Sequence, residues 1–376
     1  MKKQLKAILI IIPLLIAVAI SLTIILPYFK QPSHPPPSKG LVYIYIDSSI
    51  YNGLTSEIQQ YETDVNTQGY DTQIINWTSS NVAILKQNLT NAYPLGLEGA
   101  VLIGNIPHAI VDIWGQYASD FYLMDLDGQW DDLFPPYGMP ESHSNGTGDM
   151  YPEIWIGRIN PSSLNNLNHT QAYKDYFARN HAYRISTLTR PHKALLYIDD
   201  SWSQWYDEYL SNFTAYTDID CYWDNSTTTP TNYLNNLTQN YEFVHILVHS
   251  TQQDHYFGIG NPPSEGYVNY VNILNTNTAP LFYNLFACSA CDFTSSNNLG
   301  TQYLFSNSSL VVVGSTKTGG MNMYQSFYDE LKIGKIFGDA LKTWFRDPNY
   351  GPYGPWFSHQ NSMGMTILGD PLLTIL

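Results

Sequence analysis

Two side chains able to do covalent chemistry close two short apolar runs: His249 ends FVHILVH, and Cys288 ends PLFYNLFAC 39 positions later. Each run is brief, continuously apolar and bounded by polar residues, the pattern of a strand buried on both faces of a parallel sheet. Ligands and reacting groups gather beyond the carboxyl ends of such strands, so a histidine and a cysteine there can meet despite their separation in the chain. A thiol becomes a strong nucleophile as the thiolate, which a neighbouring imidazole promotes. The pair therefore points to acyl transfer through a covalent thioester. His245 lies four residues earlier in the same run, about 13 Å back along a strand, and is read as structural. His255 falls in the segment that follows and could support the pair from there. Cys288 and Cys291 also form C-x-x-C, which as a redox pair, a disulfide or half of a metal site ranks below the nucleophile reading, because no second C-x-x-C exists and this one follows a strand late in the chain.

Ala287, Cys288, Asp292 and Phe293 spell A-C-x-x-x-D-F, and His249 precedes them at a strand end. In this the chain resembles the gingipain family of clan CD cysteine peptidases, whose fold is caspase-like. The resemblance extends through GAVLIGNIP, YASDFYLMDLDGQWDD, YPEIWIGRI, LVVVGSTKTGG and TILGDPLL, in that order, from about Leu41 to the C-terminus. It implies a His249/Cys288 dyad with the backbone N–H groups of Cys288 and Ser250 as oxyanion donors. Ser250 stands where the family usually carries glycine; serine keeps the N–H but not the conformational freedom.

The elements that must position this pair read as two α/β halves, 41–186 and 187–376, each a parallel sheet covered by helices. The first comprises LVYIYID, a polar helix through the fifties and sixties, TQIINW, a helix near Val82–Asn91, GAVLIGN, a long loop, EIWIGRI and a helix around Leu164–Tyr183. The second restarts at KALLYIDD and repeats the rhythm through FVHILVH, PLFYNLFA and LVVVG to one closing helix over about Tyr324–Trp344.

Two acidic clusters accompany these elements. Asp125, Asp127, Asp131 and Asp132, with Gly128 between them, offer hard oxygen ligands. On residues alone a solvated acidic loop is an equal reading; the resemblance, to a family that binds calcium, implies a structural calcium ion, while the covalent chemistry needs no cofactor. Asp199 and Asp200 end the strand that opens the second half, where the resemblance implies an acid beside the catalytic histidine that orients it or shapes specificity. Asp207 and Glu208 follow and could add charge to a specificity pocket, or form an ordinary helix face.

With 376 residues, 44% of them apolar and 13% charged, the chain can bury substantial cores. A net charge of −15 without clustered lysine or arginine excludes nucleic acid as a partner. Residues 1–29 read as a signal anchor: Lys2, Lys3 and Lys6 precede an uncharged stretch from Ala7 to Phe29, long enough to span a bilayer. A proline-rich linker follows over 30–40, and a cleaved signal peptide with secretion is the alternative. Sequons at Asn76, Asn88, Asn145, Asn168, Asn212, Asn225, Asn236 and Asn307 agree with an external location. The expectation is a membrane-anchored, outward-facing cysteine endopeptidase acting on polypeptides, with cleavage after arginine or lysine implied by the resemblance. A transpeptidase with the same dyad and an inactive surface binding protein of the same fold are the alternatives.

Overall fold

The apolar runs become neighbouring strands of one ten-stranded sheet in the computed structural model, which describes residues 38–113, 115–132, 138–165, 167–258, 263–347 and 362–375. The anchor reading over 1–29 and all but the last residues of the linker lie outside these. Among the described residues no helix is long and apolar enough to cross a membrane.

The first half supplies β1 (Leu41–Asp47), β2 (Asp71–Trp77), β3 (Leu97–Ile103), the hairpin β4 (Ala109–Asp112) and β5 (Gln116–Ser119), the hairpin β6 (Gln129–Asp132) and β7 (Pro140–Ser144), and β8 (Trp155–Ile159). The segment read as a long loop thus holds two hairpins. The second half supplies β9 (Ala194–Ile198), β10 (Ile219–Tyr222), β11 (Phe243–Leu247), β12 (His249–Ser250), β13 (Asp254–Phe257), β14 (Gly266–Asn269), β15 (Phe282–Phe286), β16 (Val311–Ser315) and β17 (Met365–Gly369). The sheet runs β10-β9-β11-β15-β16-β17-β8-β3-β1-β2.

Side chains alternate across a strand, so a sheet buried on both faces needs two apolar sets. Val42, Ile44 and Ile46 of β1 pack with Ile58, Tyr61 and Val65 of the helix Thr55–Thr67. Tyr43 and Tyr45 face the other way, against Leu85 and Leu89 of the helix Val82–Ala92. That second helix starts where Asn81 accepts the N–H groups of Ala83 and Ile84, leaving its apolar stripe turned to the sheet.

Two corrections follow. The halves do not build separate parallel sheets, because β17 pairs antiparallel with β16 and parallel with β8 and so joins them. Pairing both inner edges satisfies backbone groups that two open sheets would expose. It also reverses the strand direction between the halves, so their carboxyl ends lie at opposite edges of the common sheet. The single closing helix is two, Gln325–Lys332 and Phe337–Arg346, broken at Gly334, whose φ of 80° lies in the left-handed region.

Candidate active site

β11 and β15 are parallel neighbours, with Phe243 opposite Phe282 and Leu247 opposite Phe286. Val248 N–H continues the ladder to Phe286 O at 3.1 Å. The register offset is the same 39 positions that separate His249 from Cys288, so the pairing carries both residues to one level just beyond the sheet. Ser250 Oγ donates to Cys288 O at 2.7 Å and ties the two strand exits together. His249 is exposed and Cys288 half-buried.

His249 does not remain in the main sheet. It opens β12, which pairs antiparallel with β13. Thr251 N–H bonds Asp254 O at 2.9 Å, and such bonds alternate along an antiparallel ladder. Ser250 therefore occupies a non-hydrogen-bonded position opposite His255, with its N–H directed away from β13. That leaves it available as an anion donor. Past Cys288 the chain turns sharply at Ser289, whose φ of 57° is left-handed and costs about 1–3 kcal/mol. Ser289 N–H is held by Lys317 O at 2.8 Å, and Gly319 N–H points at Cys288 Sγ from 3.4 Å. The segment after β16 thus clamps the turn at Cys288 and Ser289 and sets a backbone N–H beside the sulfur.

All three cysteines are free. Cys291 Sγ is fully buried where a Cβ on Gly300 or Gly314 would lie 2.6 and 2.5 Å from it, so glycine is required on both sides of the sulfur. Burial pushes the Cys291 thiol well above its ordinary range. Asp292 caps the following turn, accepting from Thr294 N and Oγ1 and from Ser295 Oγ. Phe293 docks on the first half, beneath the Arg158 guanidinium at 4.7 Å and edge-on to His108 at 5.4 Å.

The acids at the end of β9 lie elsewhere than against the imidazole. Asp199 is fully buried and accepts Gly258 N–H at 2.8 Å and Ser201 N–H at 3.2 Å. Trp202 N–H bonds Asp199 O at 2.9 Å, and the Trp202 ring then lies 4.2 Å from that of His249. Asp199 thus orders the turn that presents Trp202. Burial, and then the adjacent Asp199 carboxylate, raise the Asp200 carboxyl above the usual range; among the described residues its Oδ1 is buried without a partner. Asp207 and Glu208 are exposed on the helix Tyr206–Asn212. His245 is buried, with Nδ1 2.9 Å from Tyr328 Oη. His255 is buried between the rings of Tyr233 and Tyr303, facing the core.

Of the aspartates proposed as calcium ligands, Asp125 and Asp127 converge, and Glu153 joins them with oxygen atoms mutually within 4.8 Å. Asp131 instead accepts from Ser142 and Gln129 along the β6–β7 hairpin, where Asp132 pairs with Pro140. Asp125 also accepts from Gly128 N and Trp130 Nε1, both at 2.9 Å, and contacts His143 Nε2. Desolvation raises the Glu153 carboxyl to about 7, with the Asp125 and Asp127 charges adding to it.

Residues 38–376 match the model of Peptidase family C25. The chain belongs to this family, the gingipains, which are cysteine peptidases. Among solved structures the fold is similar to that of the complex of the pro- and mature domains of RgpB from Porphyromonas gingivalis, at a TM-score of 0.62 and 14% identity over 89% of this chain and 80% of that one. No curated protein matches the chain. Trp202, Lys317, Gly319 and Glu153 were not singled out from the sequence. Lys317 and Gly319 follow a buried strand at its carboxyl end, the same signal that marks His249 and Cys288; Trp202 and Glu153 carry no comparable signal.

Proposed function

We propose that this protein is a membrane-anchored, outward-facing cysteine endopeptidase with His249 and Cys288 as its dyad. The shared register of β11 and β15, which delivers both residues to one level, carries the reading. His249 takes the thiol proton, and Cys288 Sγ attacks the peptide carbonyl. The N–H groups of Ser250 and Cys288 hold the oxyanion, and the imidazolium gives its proton to the departing amine. Water, deprotonated by His249, then cleaves the thioester and restores the thiol. Trp202 holds the imidazole plane where an acid was expected. Labelling of Cys288 by an electrophilic peptide, lost on His249→Ala, tests the dyad; labelling at Cys291 in its place refutes it.

Cleavage after arginine or lysine is supported by Asp200, whose buried Oδ1 and Asp199 neighbour form an acidic spot that a cationic side chain would satisfy. Asp207, being exposed, contributes long-range charge at most. A peptide-library profile dominated by apolar or acidic residues at the cleaved position overturns this. For the calcium site, the oxygen donors Asp125, Asp127 and Glu153 suit a hard cation that would relieve their mutual repulsion. Its role would be structural, remote from the thioester chemistry. Anchoring rests on the uncharged stretch Ala7–Phe29. Mass spectrometry of the mature N-terminus tests it, a terminus between Ser21 and Ser33 marking a cleaved signal peptide and a secreted protein.

A further inference from the structure

A cleft of about 640 Å³ opens beside the nucleophile, lined among others by Tyr117, Gln252, Ser289, Asp292, Lys317 and Thr318. It lies on the β16 flank of the dyad strands, whereas Asp199 and Asp200 lie on the β9 flank. Lys317 is its cation. The lysine is tied by backbone to the nucleophile turn, its O accepting Ser289 N–H at 2.8 Å and its N–H bonding Ser315 Oγ at 3.1 Å. Its stem passes where a Cβ on Gly364 would lie 2.6 Å from Lys317 Cγ, so a glycine keeps the path open. The ammonium lies 4.7 Å from the centre of the Tyr117 ring.

Among the described residues no carboxylate comes within 4 Å of Lys317 Nζ, in a chain with 32 acidic residues against 17 lysines and arginines. The acid lining the same cleft, Asp292, is engaged by Thr294 and Ser295. Partial burial already lowers the affinity of the Lys317 amine for its proton. A half-buried cation stacked on an aromatic ring, and lacking an anion, is arranged to receive one.

We infer that Lys317 binds a carboxylate of the substrate, so that the peptide carries an acidic group beside the scissile bond. This deepens the reading of Cys288 as nucleophile and rests on it. A substrate matched to both flanks is dipolar, with a basic residue toward Asp200 and a carboxylate toward Lys317. The carboxylate comes from a glutamate or aspartate side chain or from the C-terminus of a short peptide, and both present the same two oxygens to the ammonium.

Binding to the Cys288→Ala protein separates this from turnover. Fluorescent peptides with one central arginine, and with glutamate or glutamine at each of the two positions on either side, are made as free acids and as amides and followed by anisotropy. Glutamate at one position is expected to strengthen binding roughly tenfold over glutamine. The gain should persist in Lys317→Arg, vanish in Lys317→Ala and become a penalty in Lys317→Glu. A gain that instead follows the free C-terminus supports Lys317 with the terminal carboxylate as its ligand. Equal binding of glutamate and glutamine peptides with no effect of amidation, or a gain that survives Lys317→Ala, overturns the inference. If the gain behaves as expected but active protein cleaves no peptide, Lys317 stands and the peptidase reading of Cys288 falls.

Discussion

The two halves of the sheet each end in a mouth, and only one of them leaves chemistry unspent. At the carboxyl ends of β1, β3 and β8, Asp47 and Arg158 are engaged by structure. Asp47 accepts Ser49 N–H at 2.8 Å and Asn105 N–H at 3.3 Å. Arg158 pairs with Asp120 at 2.6 Å, both buried, and gives further hydrogen bonds to the carbonyls of Ile106 and Pro107. A cleft of about 300 Å³ exists there, but its cation is satisfied and capped by Phe293. At the ends of β11, β15 and β16, His249 is exposed, Cys288 is half-buried and Lys317 lacks an anion among the described residues. The same strand topology gathers polar groups at both edges, and the second mouth is the one that leaves groups open to a ligand.

The largest effect that would break this contrast is at the dyad. Cys288→Ala and His249→Ala should each lower kcat/KM by roughly 10⁴-fold, the double variant being no worse, because the two act as one unit. Cys291→Ser should keep most activity, its sulfur being enclosed by Gly300 and Gly314. A dead Cys291→Ser with an active Cys288→Ala reverses the assignment.

Arg158→Met probes the other mouth. Removing one partner of a buried pair leaves Asp120 charged and uncompensated, costing about 3–5 kcal/mol. Urea denaturation should show that loss, while probe labelling at Cys288 per folded molecule stays unchanged; the reverse pattern would make the first mouth catalytic. Trp202→Ala should cut kcat/KM about tenfold, a loss of ~1.4 kcal/mol of transition-state stabilisation. Trp202→Phe should restore most of it. A role confined to folding would lower the yield of folded protein and leave kcat/KM per folded molecule unchanged.

The histidines sharpen the comparison through pH. Burial lowers His245 and His255 from an ordinary value near 6.5 to about 3. The folded state keeps them neutral, so below 6.5 the unfolded chain binds more protons. Their stabilising effect is complete above 6.5 and is lost as pH falls toward 3. His255→Phe should flatten the stability–pH slope in that window, measured by denaturant midpoints; an unchanged slope refutes the assignment of His255 to the core. The smallest effect concerns the acidic cluster. Excess chelator should lower the melting temperature by a few degrees if Asp125, Asp127 and Glu153 hold calcium, through loss of a ligand bound only by the folded state. An identical melting curve removes the site.

The strands were legible because each is a short apolar run, and the His249 and Cys288 positions because both close such runs at a spacing the parallel register then reproduces. β17 was not legible as a joining strand: TILGD is short, and only an available edge on β16 and another on β8 gave it partners. Likewise, Asp131 and Asp132 are neighbours of Asp125 in the chain, but β pairing turns them along a hairpin, while Glu153 arrives from beyond it. The sequence by itself determined the central apolar strands, the family and the positions of His249 and Cys288 at strand ends, since these depend on local periodicity and on chemistry carried by single residues. Tertiary structure alone decided that Asp199 positions Trp202, that Cys291 is sealed between glycines, and that Lys317 faces the cleft, since each depends on contacts between segments distant in the chain.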